Sequence, residues 1–581
     1  AAVDAGIAGA VEIPIPEEWA HATEGGFIAK INRPDFVRNV CDVMNRQEGD
    51  DLPVSTFKGW EDGTFTTGTS YYERPAAAIQ VPEWIPENCI SCNQCAFVCP
   101  HAAIRPFIVT EEEEARAPEG FICRDLPGPK KGLKYRIIVS PEDCYGCSIC
   151  ANVCPAPKKA LVMKPIETQL DKQKYWDYAI TLPRKENPMN KFTVRGSQFE
   201  PTYFEFSGAC AGCGETPYVH LVTNLFGDRM LIANATGCSS IYGASAPSMP
   251  YCTNAEGQGP AWANSLFEDN AEFGLGMHLG EIKLRRRVEE KLNEVLPSSD
   301  ENTKTAIEEW LAGKDVGDGT RSRAEKLEAA LNAKVSSHPE YKEILALKDH
   351  FIKKSQWIFG GDGWAYDIGF GGLDHVLASG EDINVLVLDT EVYSNTGGQS
   401  SKSTPAAAIA KFAAAGKKTK KKDLGMIAVS YGYIYVAQIA LGADMNQAVK
   451  AIHEAESYPG PSLIIAYAPC INHGIKAGMG EASAEQKAAV ECGYWCNWRY
   501  DPRLLDAGKN PFHLDSREPK GDFRKFLLGE VRYASLQKLF PQEAEALFEK
   551  TEKDARARRQ SYVRMQKSFG LEMQEHQAAA E

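Results

Sequence analysis

Two stretches decide the fold: residues 356–364 read QWIFGGDGW, and residues 384–395 read NVLVLDTEVYSN. Each begins with an apolar run of strand length and then turns polar, the first at GGDG and the second after Leu388. The residues between the two stretches are compatible with a helix. A strand, a glycine-rich turn, a helix and a second strand form the repeating unit of a parallel α/β sheet.

Further apolar runs of strand length alternate with helical stretches through the last two thirds of the chain. The complete set is Met230–Ala233, Gln356–Phe359, Asn384–Leu388, Met426–Ser430 and Ser462–Tyr467. This alternation predicts the α/β class, with a doubly wound, mostly parallel sheet. Such a sheet binds ligands at the carboxyl ends of its strands. The charged segment 281–354 is predicted to be a helical insertion on the surface.

The two strand ends carry groups suited to a diphosphate and a hard cation. Glycines let the backbone approach a diphosphate, and Asp362 can share an octahedral Mg²⁺ with an oxygen from the second strand end. This arrangement resembles the thiamine diphosphate fingerprint, although Gly-Asp-Gly alone is more often an ordinary turn. Thr390 replaces the asparagine ligand usual in that fingerprint. Its side-chain oxygen and the Val392 carbonyl would therefore complete the metal shell.

Eight of the 17 cysteines form two runs with the spacing C-x2-C-x2-C-x3-C-P. The runs are Cys89, Cys92, Cys95, Cys99 and Cys144, Cys147, Cys150, Cys154. In two-cluster ferredoxins, three close thiolates hold one 4Fe-4S cluster and the fourth reaches the other cluster. We therefore predict one cluster on Cys89, Cys92, Cys95 and Cys154, and a second on Cys144, Cys147, Cys150 and Cys99. Zinc sites or plain buried cysteines are the alternatives, but they leave the repeated Cys-Pro ending without a use.

These motifs predict four parts: a connector region at 1–77, a ferredoxin-like domain at 78–165, a linker at 166–199 and a large domain at 200–581. Between the two cysteine runs, the segment Thr110–Tyr135, with its acidic run Glu111–Glu114, is interpreted as a solvated loop. The basic run Lys417–Lys422 is interpreted in the same way and is assigned no role. Docking of an acidic electron carrier or of a phosphorylated cofactor is the alternative for this run.

Four more cysteines lie in the large domain, within CAGCGE at 210–215, TGCSSI at 236–241 and APCINH at 468–473. Four dispersed cysteines can be a coincidence. Together with GDGWAYDIG at 361–369 and DTEVYSNTGGQ at 389–399, however, they are highly specific. Over essentially all 581 residues, the chain resembles the C-terminal part of the single-chain pyruvate:ferredoxin (flavodoxin) oxidoreductases.

The resemblance implies a third 4Fe-4S cluster, beside the thiamine diphosphate, on Cys210, Cys213, Cys238 and Cys470. It implies that Mg²⁺ and the diphosphate are held by Gly361, Asp362, Gly363, Trp364, Thr390, Glu391, Val392, Tyr393, Ser394 and Asn395. Among these, Asp362, Thr390 and Val392 would be the metal ligands. The remaining cysteines are interpreted as ordinary thiols: Cys41, Cys123, Cys252, Cys492 and Cys496.

The resemblance also implies individual roles around the cofactor. Glu215 and Cys238 would touch it, Ile241 would support it between its two rings, and Phe267 would help to line the substrate pocket. Asn395 would approach the reacting carbon and is the predicted catalytic residue. Ile241 and Phe267 are also compatible with ordinary positions in a hydrophobic core.

The implied reaction is the oxidative decarboxylation of pyruvate to acetyl-CoA and CO₂, with electrons passing through three clusters to ferredoxin or flavodoxin. In the family, the substrate-carboxylate site, the coenzyme A site and the glutamate that activates the cofactor belong to N-terminal domains. No counterpart is recognisable here, so we expect this chain to require those domains, on the same or a separate chain, and to form a homodimer. The alternatives are oxidation of another 2-oxoacid and a pure electron carrier with a vestigial thiamine site.

Composition excludes other classes of function. The net charge of -14 gives no general footprint for binding nucleic acid. No apolar run approaches the roughly 20 residues of a membrane span, so we expect a soluble protein. Oxygen-sensitive clusters and the lack of a secretory signal favour a cytoplasmic location. The chain ends at Gln577–Glu581 without a cysteine, and we expect no disulfide-bonded tail.

Overall fold

The computed structural model describes residues 2–21, 31–128 and 132–580, and it divides into two units at Glu61/Asp62, each described here by itself. The side chains of residues 571–580 and the whole of Glu581 lie outside the described set, so the prediction about the C-terminal tail falls outside it too. No helix in the described ranges is both long enough and apolar enough to cross a membrane.

The first unit contains helices α1 (Ala2–Ala8) and α2 (Asp42–Asn45). A π-helical turn at Val37–Cys41 leads directly into α2 and buries Val37, Val40 and Cys41. Phe36 and Trp60 add a ring contact with their centroids 5.0 Å apart. The predicted connector therefore contains buried apolar residues and one aromatic pair.

The second unit begins with a small α+β region that contains both cysteine runs. Its elements are β1 (Gln80–Trp84), α3 (Gln94–Phe97), β2 (Ile104–Val109), α4 (Glu111–Arg116), β3 (Arg124–Asp125), β4 (Lys134–Val139), α5 (Ile149–Val153) and β5 (Leu161–Pro165). Strands β1 and β5 pair antiparallel, and β2, β4 and β3 form a second antiparallel sheet. Helices α3 and α5 each follow the first cysteines of a run, so the two halves of the region have matching layouts.

The acidic run at 111–114 is not a solvated loop, and that prediction is wrong. Thr110 and Glu113 form a capping box at the start of α4, and carboxylates are favourable at a helix N-terminus. Glu113 is buried and pairs with Lys185. The predicted linker then forms α6 (Gln173–Ala179) and α7 (Val194–Ser197), and α6 buries Trp176 against β4.

The rest of the second unit is the large domain. Its first half comprises α8 (Thr216–Phe226), β6 (Met230–Ala235), α9 (Cys238–Gly243), β7 (Ala261–Ser265), α10 (Asn270–Val295), α11 (Glu301–Gly313), α12 (Thr320–Lys334), α13 (Tyr341–Leu345), β8 (Ser355–Gly361), α14 (Phe370–Ala378) and β9 (Asn384–Asp389). Its second half comprises α15 (Leu424–Val429), β10 (Tyr435–Ile439), α16 (Met445–Glu456), β11 (Ser462–Tyr467), α17 (Ala482–Glu491), β12 (Trp498–Tyr500), α18 (Arg503–Asp506), β13 (Phe512–Leu514), α19 (Phe523–Gly529), α20 (Val531–Leu539) and α21 (Pro541–Ala580).

Within residues 132–580, eight strands form one mixed sheet in the order β13-β12-β10-β11-β9-β8-β6-β7. The six strands from β10 to β7 are parallel, and β12 and β13 add an antiparallel edge. Successive residues of β9 alternate between two cores: Val385 and Val387 pack on one face, and Leu386 and Leu388 pack on the other. The strands from β10 to β6 in this order have residues in both cores and are therefore covered on both faces, so their ends are the place for a ligand.

The predicted strand Met426–Ser430 is wrong, because most of it lies in helix α15. The Asp423 side chain accepts a hydrogen bond from the Met426 N–H and caps that helix. The actual strand, β10, follows at Tyr435–Ile439. A five-residue apolar run does not distinguish a strand from a buried helix, which is why the sequence pattern failed here.

The helical insertion starts earlier than residue 281, because α10 already begins at Asn270. Helices α10 to α13 enclose their own apolar cluster, which includes Leu292, Trp310 and Leu327. This cluster is separate from the two cores of the sheet.

Candidate functional site

The carboxyl ends of β8 and β9 bring three of the predicted ligand oxygens together. Thr390 Oγ1 lies 3.0 Å from Asp362 Oδ1 and 3.0 Å from the carbonyl oxygen of Val392. The parallel register of the two strands places them there, since Gly361 pairs with Leu388 immediately before the two turns begin. The Asp362 and Val392 oxygens thus both lie 3.0 Å from Thr390 Oγ1, although 28 positions separate Asp362 from Thr390 in the chain.

This oxygen set fits Mg²⁺. An octahedron with metal–oxygen distances of about 2.1 Å has edges of about 3.0 Å, which matches the separations of these oxygens. Asp362 is fully buried, and burial together with the charge of Asp389 raises its pKa well above the usual value. A buried carboxylate destabilised by a second carboxylate is a position that a divalent cation would stabilise.

The two glycines that flank Asp362 have different roles. A Cβ added to Gly361 would meet nothing closer than the Leu388 carbonyl oxygen at 3.9 Å, so this backbone faces open space. A Cβ on Gly363 would lie 2.5 Å from the Tyr393 ring. Gly361 therefore leaves the backbone accessible to a diphosphate. At Gly363, the absence of a side chain makes room for the Tyr393 ring. The Trp364 side chain is fully buried, and only the backbone of this residue can contribute to the site.

Glu391 adopts a left-handed backbone conformation with φ of 61°, which is uncommon for a residue with a side chain. Its buried carboxylate accepts hydrogen bonds from Lys421 at 3.0 Å, Arg532 at 2.9 Å and the Tyr494 hydroxyl at 2.5 Å. Burial alone would raise the pKa of Glu391, but the charges of Lys421 and Arg532 outweigh it and lower the pKa to about 2. The side chain therefore anchors the turn, and only its backbone is available to a cofactor.

The basic run at 417–422 is partly structural, so its interpretation as a solvated loop is wrong for three of its lysines. Lys421 also bonds Asp389 at 2.8 Å, and Lys417 donates to the carbonyl oxygens of Ser401 and Thr404. The ammonium of Lys422 lies over the Phe370 ring. These lysines support the loop beneath Asp362.

His473, like Lys421, was not singled out as functional by the sequence motifs. It is fully buried, and its Nε2 donates to the Thr390 carbonyl oxygen at 2.7 Å. It lies three residues after Cys470, and the intervening Asn472 donates to the Cys470 sulfur at 3.4 Å. The turn that carries Cys470 is thereby bonded to the turn that carries Thr390.

The third set of cysteines, Cys210, Cys213, Cys238 and Cys470, assembles beside this loop. Burial raises the pKa of the Cys213 and Cys238 thiols, and neighbouring charges on Glu215 and Cys470 raise both further. Burial raises the pKa of Glu215 itself to about 7. The Cys238 sulfur lies 3.2 Å from Ser394 Oγ and 4.0 Å from Asn395 Oδ1. The predicted cluster ligands and the predicted cofactor loop therefore share one site.

Ile241, Phe267 and Asn395, which are predicted to contact the cofactor or the substrate, are at least partly accessible to solvent, and we refer to them as the mouth of the site. Ile241, on α9, is 49% exposed, which excludes an ordinary core position for it in this structure. Phe267 is partly buried and packs edge-on against Tyr393 with ring centroids 5.8 Å apart. Asn395 is exposed.

Among the other eight cysteines, Cys154 lies close enough to Cys95, and Cys99 close enough to Cys150, to raise the pKa of those thiols. Burial raises the pKa of the Cys95 thiol, and Cys92, Cys89 and Cys154 raise it further. Burial likewise raises the pKa of the Cys150 thiol, and the charges of Cys147, Cys144 and Cys99 raise it further. Backbone N–H groups of Ser91 and Gly146 already point at cysteine sulfurs, at 3.4 Å each. In the described ranges, no three His, Cys, Asp or Glu side chains converge as ligands of a single metal ion.

Comparison with known families supports both kinds of domain. A 4Fe-4S dicluster domain matches residues 88–158, and the C-terminal TPP-binding domain of thiamine pyrophosphate enzymes matches residues 327–466. A third family, the EKR domain of unknown function, matches residues 28–76. The prediction of 4Fe-4S and thiamine diphosphate-binding domains is thereby confirmed.

Several whole proteins are similar to this chain. It is 59% identical over 575 residues to the pyruvate-flavodoxin oxidoreductase of Enterobacter agglomerans, with 98% of this chain and 49% of that protein covered. The identity is 58% over 566 residues with the enzyme of the same name from Klebsiella pneumoniae, covering 97% and 48%. It is 54% over 574 residues with the pyruvate:ferredoxin oxidoreductase of Moorella thermoacetica, covering 97% and 49%. The chain spans about half the length of the curated relatives it matches.

Proposed function

We propose that this chain is the cofactor-binding and electron-transferring C-terminal part of a pyruvate:ferredoxin or flavodoxin oxidoreductase, which converts pyruvate and coenzyme A into acetyl-CoA and CO₂. The observation that carries the proposal is the contact of Cys238 with Ser394, because it joins a set of four thiols to a thiamine diphosphate loop. The names of the relatives, at 54% identity and above, supply the substrate and the electron acceptors. The sheet that holds the loop is covered on both faces and is assigned as doubly wound.

The chain's own residues would bind the cofactor and fix its orientation. Asp362, Thr390 and the Val392 carbonyl would hold Mg²⁺, and the open backbone at Gly361 would receive the diphosphate. Glu391 and its two cationic partners hold the turn so that the Thr390 and Val392 oxygens face Asp362. When bound, thiamine diphosphate supplies the electron sink that decarboxylation of a 2-oxoacid requires.

Twelve of the 17 cysteines are assigned to three 4Fe-4S clusters. The set on Cys210, Cys213, Cys238 and Cys470 adjoins the cofactor loop and would accept electrons first. The sets in the ferredoxin-like region would pass them on, one at a time, to ferredoxin or flavodoxin. Glu215, which is buried and has its pKa raised to about 7 by that burial, would touch the cofactor.

The other half of the reaction machinery is assigned to N-terminal domains, on the same or a separate chain. The mouth of the site supports this assignment, since the Ile241 side chain there is half exposed and Asn395 is exposed. Binding of the pyruvate carboxylate and of coenzyme A is attributed to those domains, and a homodimer is expected for the whole enzyme.

The test is reduction of the clusters by substrate. The purified chain, combined anaerobically with the N-terminal half, is mixed with pyruvate and coenzyme A, and cluster bleaching is followed by absorbance. Bleaching that depends on pyruvate and on added thiamine diphosphate supports the proposal. Bleaching by 2-oxoglutarate in preference to pyruvate would assign another 2-oxoacid. Intact clusters that bleach with dithionite but with neither substrate would leave an electron carrier alone.

A further inference from the structure

Two loops that carry different sets of cysteines are bonded to each other. Nε2 of His101, two residues after Cys99, lies 3.0 Å from the carbonyl oxygen of Ala209, which precedes Cys210. A carbonyl oxygen only accepts, so Nε2 carries the proton and donates. The Phe206 N–H donates back to the His101 carbonyl at 3.0 Å. Two hydrogen bonds therefore tie the Cys99 loop to the segment that leads into Cys210.

The His101 ring is held in place by its surroundings. It is 2% exposed and stacks on the Tyr145 ring with centroids 4.1 Å apart and planes inclined by 10°. Tyr145 directly follows Cys144, the first ligand of the second predicted cluster. His101 thus contacts one residue beside that cluster and one residue beside the third.

A second contact between the two loops runs through Met479 and Gly480. A Cβ on Gly480 would lie 2.5 Å from the carbonyl oxygen of Cys147, so this segment packs against the second cysteine run. Gly212, between Cys210 and Cys213, has φ of +81°, and a Cβ there would lie 2.7 Å from Met479. The packing of its loop on Met479 therefore requires glycine.

We propose that His101 is the residue that sets the separation between the second and third clusters, and that its contact with the segment before Cys210 is the electron-transfer joint between them. The inference rests on the proposed function, since it requires both clusters. With both clusters bound, single electrons would pass across this joint from the third cluster to the second, with no bond formed or broken and no proton moved.

Three substitutions separate this role from general packing. His101→Phe keeps an aromatic ring on Tyr145 but removes the donor to Ala209. His101→Gln keeps a donor. Asn152→Ala is the control for general contact, because Asn152 joins the same two regions through the Gly480 carbonyl and Glu481. Since Asn152 lies between Cys150 and Cys154, the iron content of this variant is verified first.

The cluster-loaded chain is reduced with dithionite, and electron paramagnetic resonance records the magnetic coupling between the reduced clusters. Iron content is measured on the same samples. The rate at which electrons reach the second cluster is measured after oxidised samples are mixed with dithionite. We expect His101→Phe to keep its iron, to lose coupling, and to slow electron arrival roughly 5-fold or more, since losing one buried hydrogen bond lowers the population in which the two loops are in contact by about that factor. His101→Gln and Asn152→Ala should resemble the parent.

Coupling and rate unchanged in His101→Phe, with full iron, would overturn the joint and leave the proposed function standing. An equal loss in Asn152→Ala would do the same, since any contact between the regions would then suffice. If His101→Phe loses iron, His101→Met is measured in its place. Iron loss in both would assign His101 to folding and overturn the proposal. A parent protein without a third cluster would overturn the proposed function as well.

Discussion

The sulfur of Cys238 lies 3.2 Å from the hydroxyl oxygen of Ser394, although 156 positions separate the two residues in the chain. Cys238 begins helix α9 after β6, and Ser394 lies in the turn after β9. Parallel strands end at the same edge of a sheet, so these two distant turns meet there. The contact makes one site of two motifs that the sequence presents separately.

Asp362→Asn should abolish Mg²⁺-dependent binding of thiamine diphosphate while leaving the clusters in place. The substitution keeps the size of the side chain and removes the charge that faces the cation, so affinity should fall by at least about 100-fold. Isothermal titration with thiamine diphosphate and Mg²⁺ measures the loss, and iron analysis verifies the clusters. Asp374→Asn, on α14 and bonded to Tyr431, is the control and should bind normally. Retained affinity in Asp362→Asn would refute the assignment of the metal site.

Substitution by alanine should have different effects on stability at the two glycines beside Asp362. Gly363→Ala places a Cβ 2.5 Å from the Tyr393 ring, and we expect a loss of about 1–3 kcal/mol in unfolding free energy. Gly361→Ala has open space, so its stability should change by less than about 0.5 kcal/mol, while cofactor affinity falls because the new methyl group covers the backbone. Denaturant unfolding and cofactor titration of both variants test the contrast. Equal destabilisation by the two would contradict it.

Arg532→Met should destabilise the protein strongly, because it removes the arginine from the buried carboxylate of Glu530 and leaves that of Glu391 with Lys421 as its remaining cation. Breaking a buried ion pair from one side costs about 3–5 kcal/mol. Adding Glu391→Gln to Arg532→Met should recover part of this loss, since one of the carboxylates that lost a cation is then neutral. Urea unfolding of the single and double variants measures the coupling. A double variant less stable than the sum of its parts would contradict the network.

His220 should make the protein sensitive to acid. Burial, followed by the charge of Arg105, lowers the pKa of this histidine from 6.5 to about 3. Below pH 6.5 the unfolded chain binds a proton that the folded chain does not, so stability falls as pH decreases to about 3 and is unaffected above 6.5. The slope due to His220 approaches about 1.4 kcal/mol per pH unit. His220→Gln should reduce the slope of unfolding free energy between pH 6 and 4.5 by that amount, and an unchanged slope would be evidence against a neutral buried imidazole.

Local signals predicted the parts of the site that lie within short motifs. The spacing of the cysteines predicts that Cys154 joins the first run and Cys99 the second, and the turns after β8 and β9 predict Asp362 and Thr390 as ligands. Lys421, His473 and Arg532 were not predicted, because their partners lie far away in sequence and nothing local marks them. The apolar run at 426–430 predicts a strand but forms a helix capped by Asp423, because a run of five apolar residues does not distinguish the two.

The most direct test of the account is the anaerobic determination of iron, acid-labile sulfide and thiamine diphosphate binding in the purified chain and in Cys470→Ala. Three 4Fe-4S clusters correspond to about twelve iron atoms per chain, and we expect Cys470→Ala to retain about eight, since it loses one ligand of the third set alone. The parent chain, with about twelve iron atoms, should also bind thiamine diphosphate. About eight iron atoms in the parent, unchanged by Cys470→Ala and without cofactor binding, would contradict the claim that a cluster and thiamine diphosphate share one site.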